Sequence, residues 1–142
     1  MNFDSYWKQL ITRVYKSNEI LLGKEEIFFR ISHIYGETMV DGIETYFERR
    51  FDQFDDDMEA LRIVGFADIA AEFQLARLVM FGDLPLTQEL VQANDRRLLN
   101  VSDDVRPILD QIDKIYARLI PRLEILAEYK YALGLSERFY TE

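Results

Sequence analysis

Apolar residues recur three or four positions apart along most of the chain, and no alternating stretch persists. Only six glycines and three prolines interrupt this pattern. Together these features predict an all-α fold, a single domain over residues 1–142 built as a bundle of about six or seven helices. The first helix is expected from Phe3 to Ser17, with Phe3, Trp7, Leu10 and Val14 on one stripe and Tyr6, Ile11 and Tyr15 widening it. After a connection over Asn18 to Gly23, a second helix begins near Lys24. Glu25 and Glu26 suit its positive end, and Ile27, Phe28, Ile31, Ile34 and Tyr35 face inward. Asp41-Gly42 is a turn, and Ile43 to Phe51 forms a short helix burying Ile43, Tyr46 and Phe47, with Phe51 and Phe54 anchoring its end.

Asp56 is placed to cap the next helix, because Glu59 follows three residues later as in a capping box and Leu61 and Val64 supply an apolar face. Gly65 ends it. Asp68 can cap a helix reaching Phe81, with Ile69, Phe73, Ala76 and Met80 in register and Gly82 as the stop. Leu84-Pro85-Leu86 is a turn, and Thr87 caps a helix through Leu99 that turns Leu90, Val91, Ala93 and Leu98 inward. The last helix, capped by Ser102 or Asp104 and stopped by Gly134, carries the most regular seam: Val105, Leu109, Ile112, Tyr116, Leu119, Leu123 and Leu126. This seam can pack within the chain or against a second copy in a homodimer, and a single domain of this size needs it for its own core. Pro121 lies inside it, so a kink or short break is expected there.

Composition narrows the function classes. A chain of 142 residues with 49% hydrophobic and 13% aromatic residues can bury about two thirds of the surface it exposes when unfolded. It has no cysteine, which removes disulfides, thiolate metal sites and cysteine nucleophiles and makes a cytoplasmic protein the simplest expectation. Charged residues interrupt Met1 to Leu22, so neither a signal peptide nor a membrane span is expected. A net charge of -9 and a pI near 4.7 argue against direct binding of nucleic acid and favour a basic protein partner.

Candidate chemistry is sparse. His33 is the only histidine, and Glu37 four residues on shares its helical face, but two ligands do not make a zinc site. No serine lies in a Gly-x-Ser-x-Gly turn, and the glycines match neither a phosphate loop nor a dinucleotide fingerprint. No cofactor, metal or catalytic residue is therefore assigned, although carboxylates abundant enough for a hydrolase remain an alternative. The densest charge is Asp52 to Glu59, five carboxylates with no basic residue among them. Read as a calcium loop it fails, with Asp57 where glycine belongs and Ile63 where glutamate belongs. Its remaining explanations are a solvated helix start and a binding surface. In the second, Asp52, Asp55, Asp56, Asp57 and Glu59 join Asp103, Asp104, Asp110 and Asp113 in an anionic surface for a basic partner. Carboxylates on successive helical turns stand about 5 to 6 Å apart at their side-chain bases, a spacing that lends itself to mimicry of a phosphate backbone.

The stretch from Glu26 to Phe47 resembles a family of bacterial helical domains of unassigned function, whose better known branch includes a dimeric DNA-mimic protein. In that family a helix with an early Glu and aromatic pair leads through an Asn-Asn-Gly-Gly-Phe type turn into a Gln-Tyr-Phe type helix. Here Val40-Asp41-Gly42-Ile43 occupies the turn and Tyr46-Phe47 match the aromatic pair, with one family glycine and both asparagines absent. Leu61 to Ala67 is similar to the family's Leu-x-x-Ile-Gly-Ala segment. Leu109 to Tyr116, with Leu123 to Tyr129, is similar to its closing helix. The resemblance implies an all-helical domain that acts by binding a protein, as a DNA mimic or, in the manner of other members, as an inhibitor of the toxin-immunity type.

Overall fold

The computed structural model describes residues 1–142 and contains seven α-helices and no strand: α1 Phe3–Ile11, α2 Gly23–Asp41, α3 Ile43–Arg50, α4 Phe54–Ile63, α5 Ala67–Phe81, α6 Gln88–Leu99 and α7 Arg106–Ser136. The expected all-α domain is what forms. α2 packs on α3, α4 and α7, while α5 lies between α4 and α7. The Asp68–Arg122 and Glu72–Arg118 ion pairs show that α5 and α7 run antiparallel, since the partner numbers fall as the α5 numbers rise. A core of 21 buried residues runs through α2 to α7, and the expected inward positions Ile43, Tyr46, Phe47, Ile69, Phe73, Ala76, Leu119, Leu123 and Leu126 all belong to it.

A second, smaller cluster joins α1 to the end of the chain through Tyr6, Leu10, Leu21, Phe28, Phe29 and Tyr140. Here the sequence stripe needs correction. Tyr6 is buried, whereas Phe3, Trp7 and Val14 are only half-covered. α1 also stops at Ile11 and continues as a π turn over Thr12–Lys16, closed by the Ser17 N–H on the Thr12 carbonyl at 3.1 Å. The wider turn alters the angular step between residues and breaks a simple three-four repeat.

Several helix ends obey their sequence signals. Thr87 Oγ1 accepts from the Leu90 N–H at 3.2 Å. Gly65, at φ +89°, closes α4 in a Schellman motif, with the Phe66 N–H on the Leu61 carbonyl and the Gly65 N–H on the Arg62 carbonyl. Others do not. No side chain caps α4: it starts at Phe54, two residues before Asp56, and the Asp56–Glu59 capping box does not form. α5 begins at Ala67, which puts Asp68 inside its first turn, in a pair with Arg122. Neither the Ser102 nor the Asp104 side chain caps α7; the Ser102 backbone carbonyl receives the Val105 and Arg106 N–H groups instead. Ala93 is exposed and its neighbour Asn94 is buried.

α7 runs without a break through Pro121. Pro121 and Ala117, whose carbonyl loses its partner to the proline, are both on the exposed face, where water replaces the missing N–H. Gly134 is not the stop. It lies buried beneath Tyr140, where a Cβ would overlap the phenol ring, and the helix ends two residues later. The ending is a second Schellman motif, with Phe139 N–H on the Gly134 carbonyl and Arg138 N–H on the Leu135 carbonyl. Arg138, at φ +61°, occupies the left-handed position that glycine usually takes.

Candidate functional site

The acidic block divides once it is folded. Asp57 is completely buried and takes no part in the surface. Its Oδ1 accepts from Arg50 Nη2 at 2.6 Å and Arg30 Nη1 at 3.1 Å, and its Oδ2 accepts from Arg50 Nε at 3.0 Å and the Tyr46 hydroxyl at 2.8 Å. Four donors from α2 and α3 thus converge on one carboxylate of α4. Burial first, and then the Asp57 charge, push the Tyr46 phenol well above its ordinary range, so it stays a neutral donor. The assignment of Asp57 to a partner surface is therefore wrong: it is a structural tie between three helices. It is also the only fully buried carboxylate, so it has no second buried acid to work with.

The rest of the block is exposed but largely compensated. Arg77 lies 3.8 Å from Asp55, Arg30 lies 3.7 Å from Asp56, and Arg62 lies 3.6 Å from Glu59. Arg30 and Arg77 come from α2 and α5, far along the chain from the block, while Arg62 follows Glu59 by one turn on α4 itself, just past the acidic run. Only Asp52 has no cation within ion-pair distance.

Asp103, Asp104, Asp110 and Asp113 are all exposed, and none forms an ion pair. They do not share a cleft with the Asp52 block. Asp52, Asp55 and Asp56 line one depression with Arg77, while Asp113 lines another with Asp41 and Glu44 at the α2–α3 corner. From that corner the negative charge continues onto α6. The Asp95 carboxyl is pushed above its usual range by burial, then by repulsion from Glu48 and Glu44. Asp41, Glu44, Glu48, Asp95 and Asp113 thus form an uncompensated acidic face drawn from four helices. Sequence reading found only Asp113 of these five, because the others are dispersed over some fifty positions and become neighbours through α3–α6 packing.

On the other side of α2, His33 sits among Trp7, Tyr15 and Phe29. Burial, followed by the nearby Arg50 charge, lowers its imidazole to about 3, so it is neutral at ordinary pH. Glu37 is 3.8 Å from Nδ1 and also accepts from Arg49, and no group of three or more metal-binding side chains exists anywhere in the fold. No helix is long and apolar enough to cross a membrane. No family model, curated protein or solved structure matches this chain, so the family resemblance rests on its sequence motifs alone.

Proposed function

We propose that this is a protein-binding domain that recognises a basic partner through the acidic face formed by Asp41, Glu44, Glu48, Asp95 and Asp113, extended by Asp103 and Asp104 in the turn before α7 and by Asp110 on its first turns. The observation that carries this reading is the absence of any compensating cation at these five positions, in contrast to Asp55, Asp56, Asp57 and Glu59, each of which has an arginine. Like charges held together raise the energy of the free surface; at Asp95 the repulsion from Glu48 and Glu44 adds to the larger effect of burial, and a cationic partner relieves that repulsion on docking. A groove that normally holds a nucleic-acid backbone is one surface of this chemistry, and competition by duplex DNA tests for it.

The immobilised domain is compared with a variant carrying Glu44→Gln, Glu48→Gln, Asp95→Asn and Asp113→Asn, each exposed to a native lysate at low and high salt. Partners retained by the wild type should be lost from the variant and released by salt. A control with Asp55→Asn, Asp56→Asn and Glu59→Gln should keep them. Retention of the same partners by the first variant would sink the proposal.

A further inference from the structure

A cleft of about 340 Å³ opens between the π turn, the connection after it, and the facing sides of α2 and α3. Val14, Tyr15, Leu21 and Phe29 give it an apolar and aromatic wall, and Arg49 and Arg50 lie at its α3 side. Arg50 is 8% exposed, and its Nε and Nη2 are taken by Asp57. Its Nη1 has no protein partner, and neither does Nη2 of Arg49, whose Nη1 is held by Glu37. The Arg50 guanidinium thus turns toward the cleft an N–H edge that no protein group takes, and an anion there replaces water with a charge-assisted contact.

The acids at the cleft define how much negative charge it accepts. Glu19 is committed to Arg13 and Glu26 to Arg30, while Asp52 is uncommitted. A dianion such as phosphate is repelled more strongly than a monoanion by the Asp52 carboxylate on the cleft wall. A single planar carboxylate matches two guanidinium edges with less repulsion, and the aromatic wall supplies a surface for an apolar body behind it.

We propose that this cleft binds a small monocarboxylate with an apolar or aromatic body, its carboxylate received by Arg50 and Arg49 and its body lying against Tyr15 and Phe29. The site is separate from the acidic face, so either can exist without the other.

Trp7, the only tryptophan, stands 5.4 Å from the Phe29 ring and reports on the cleft. Its fluorescence is titrated with phenylacetate, benzylamine and inorganic phosphate in turn. Phenylacetate should give a saturable change that the other two do not. Arg49→Gln, at a largely exposed position, should weaken phenylacetate binding about tenfold, the loss of one charge-assisted contact. Asp52→Asn should tighten it and gives a readout independent of Arg49. The proposal is overturned by no saturable response to phenylacetate, by an equal response to benzylamine or phosphate, or by affinities unchanged in both variants.

Discussion

Asp57 and Arg50 form a two-pronged ion pair in the interior, with Oδ1 to Nη2 at 2.6 Å and Oδ2 to Nε at 3.0 Å, both side chains almost sealed from water. Removing one partner leaves the other charge buried without compensation, whereas an exposed pair exchanges its partner for solvent. Asp57→Ala should cost about 3 to 5 kcal/mol of stability. Asp55→Asn should stay within about 0.5 kcal/mol. Urea unfolding of both variants decides the matter, and a mild effect at Asp57 would show that the tie is dispensable.

The sequence did contain the sign that Asp57 belongs inside. It lies three residues after Phe54 and four before Leu61, both buried, so it falls on the inward stripe of α4. A run of acids before an apolar pattern suggests a cap more readily than a core position, and the arginines that resolve it are 7 and 27 residues away. Helix number and most of the core were legible because glycines and apolar spacing act locally. The π turn, the Gly134–Tyr140 contact and the acidic face across α3 and α6 were not, since each depends on which segments meet after folding.

Gly134 and Gly36 make a matched pair of helical glycines. Gly36 has open space where a Cβ would go, while at Gly134 the Tyr140 ring fills it. Gly36→Ala should stabilise by about 0.5 to 1 kcal/mol, the usual gain from removing a glycine inside a helix. Gly134→Ala should destabilise by about 1 to 3 kcal/mol as Tyr140 is pushed aside and its hydroxyl leaves the Tyr131 carbonyl. Thermal melts with the same sign for both variants would contradict this contact.

At the end of α7, Arg138 holds a left-handed backbone that costs an L-residue about 1 kcal/mol and costs glycine almost nothing. Arg138 makes no ion pair that its replacement would forfeit. Arg138→Gly should therefore be neutral to stabilising by up to about 1 kcal/mol, despite the greater freedom glycine brings to the unfolded chain. Calorimetry showing a clear loss would mean the arginine side chain contributes more than its backbone costs.

His33 should make stability depend on pH. Its folded imidazole protonates only near pH 3, against about 6.5 in the unfolded chain, so between these values the unfolded state binds more protons. The histidine's contribution is fully present above about pH 6.5 and falls as pH drops toward 3, by no more than about 1.4 kcal/mol per pH unit. The stability gap between wild type and His33→Gln should narrow from pH 7 to pH 5 in chemical denaturation. A gap that is constant or widens on acidification would rule out a neutral, largely covered imidazole.

The small cluster around Tyr6, Phe28 and Tyr140 joins the first helix to the last residues, and the Thr141 N–H reaches the Met1 carbonyl at 2.9 Å. α2 and the end of α7 serve both cores: Phe28 and Phe29 lie in the smaller, Ile31 and Ile34 in the larger, and Leu133 of α7 packs against both. The two chain ends therefore form one cooperative unit laid on α2 and the end of α7, able to open while α3 to α6 stay closed. In native-state amide exchange, α1 and the 137–141 segment should lose protection together, at a lower free energy than α5. A destabilising change at Gly134, far along the chain from α1, would then loosen α1 as well.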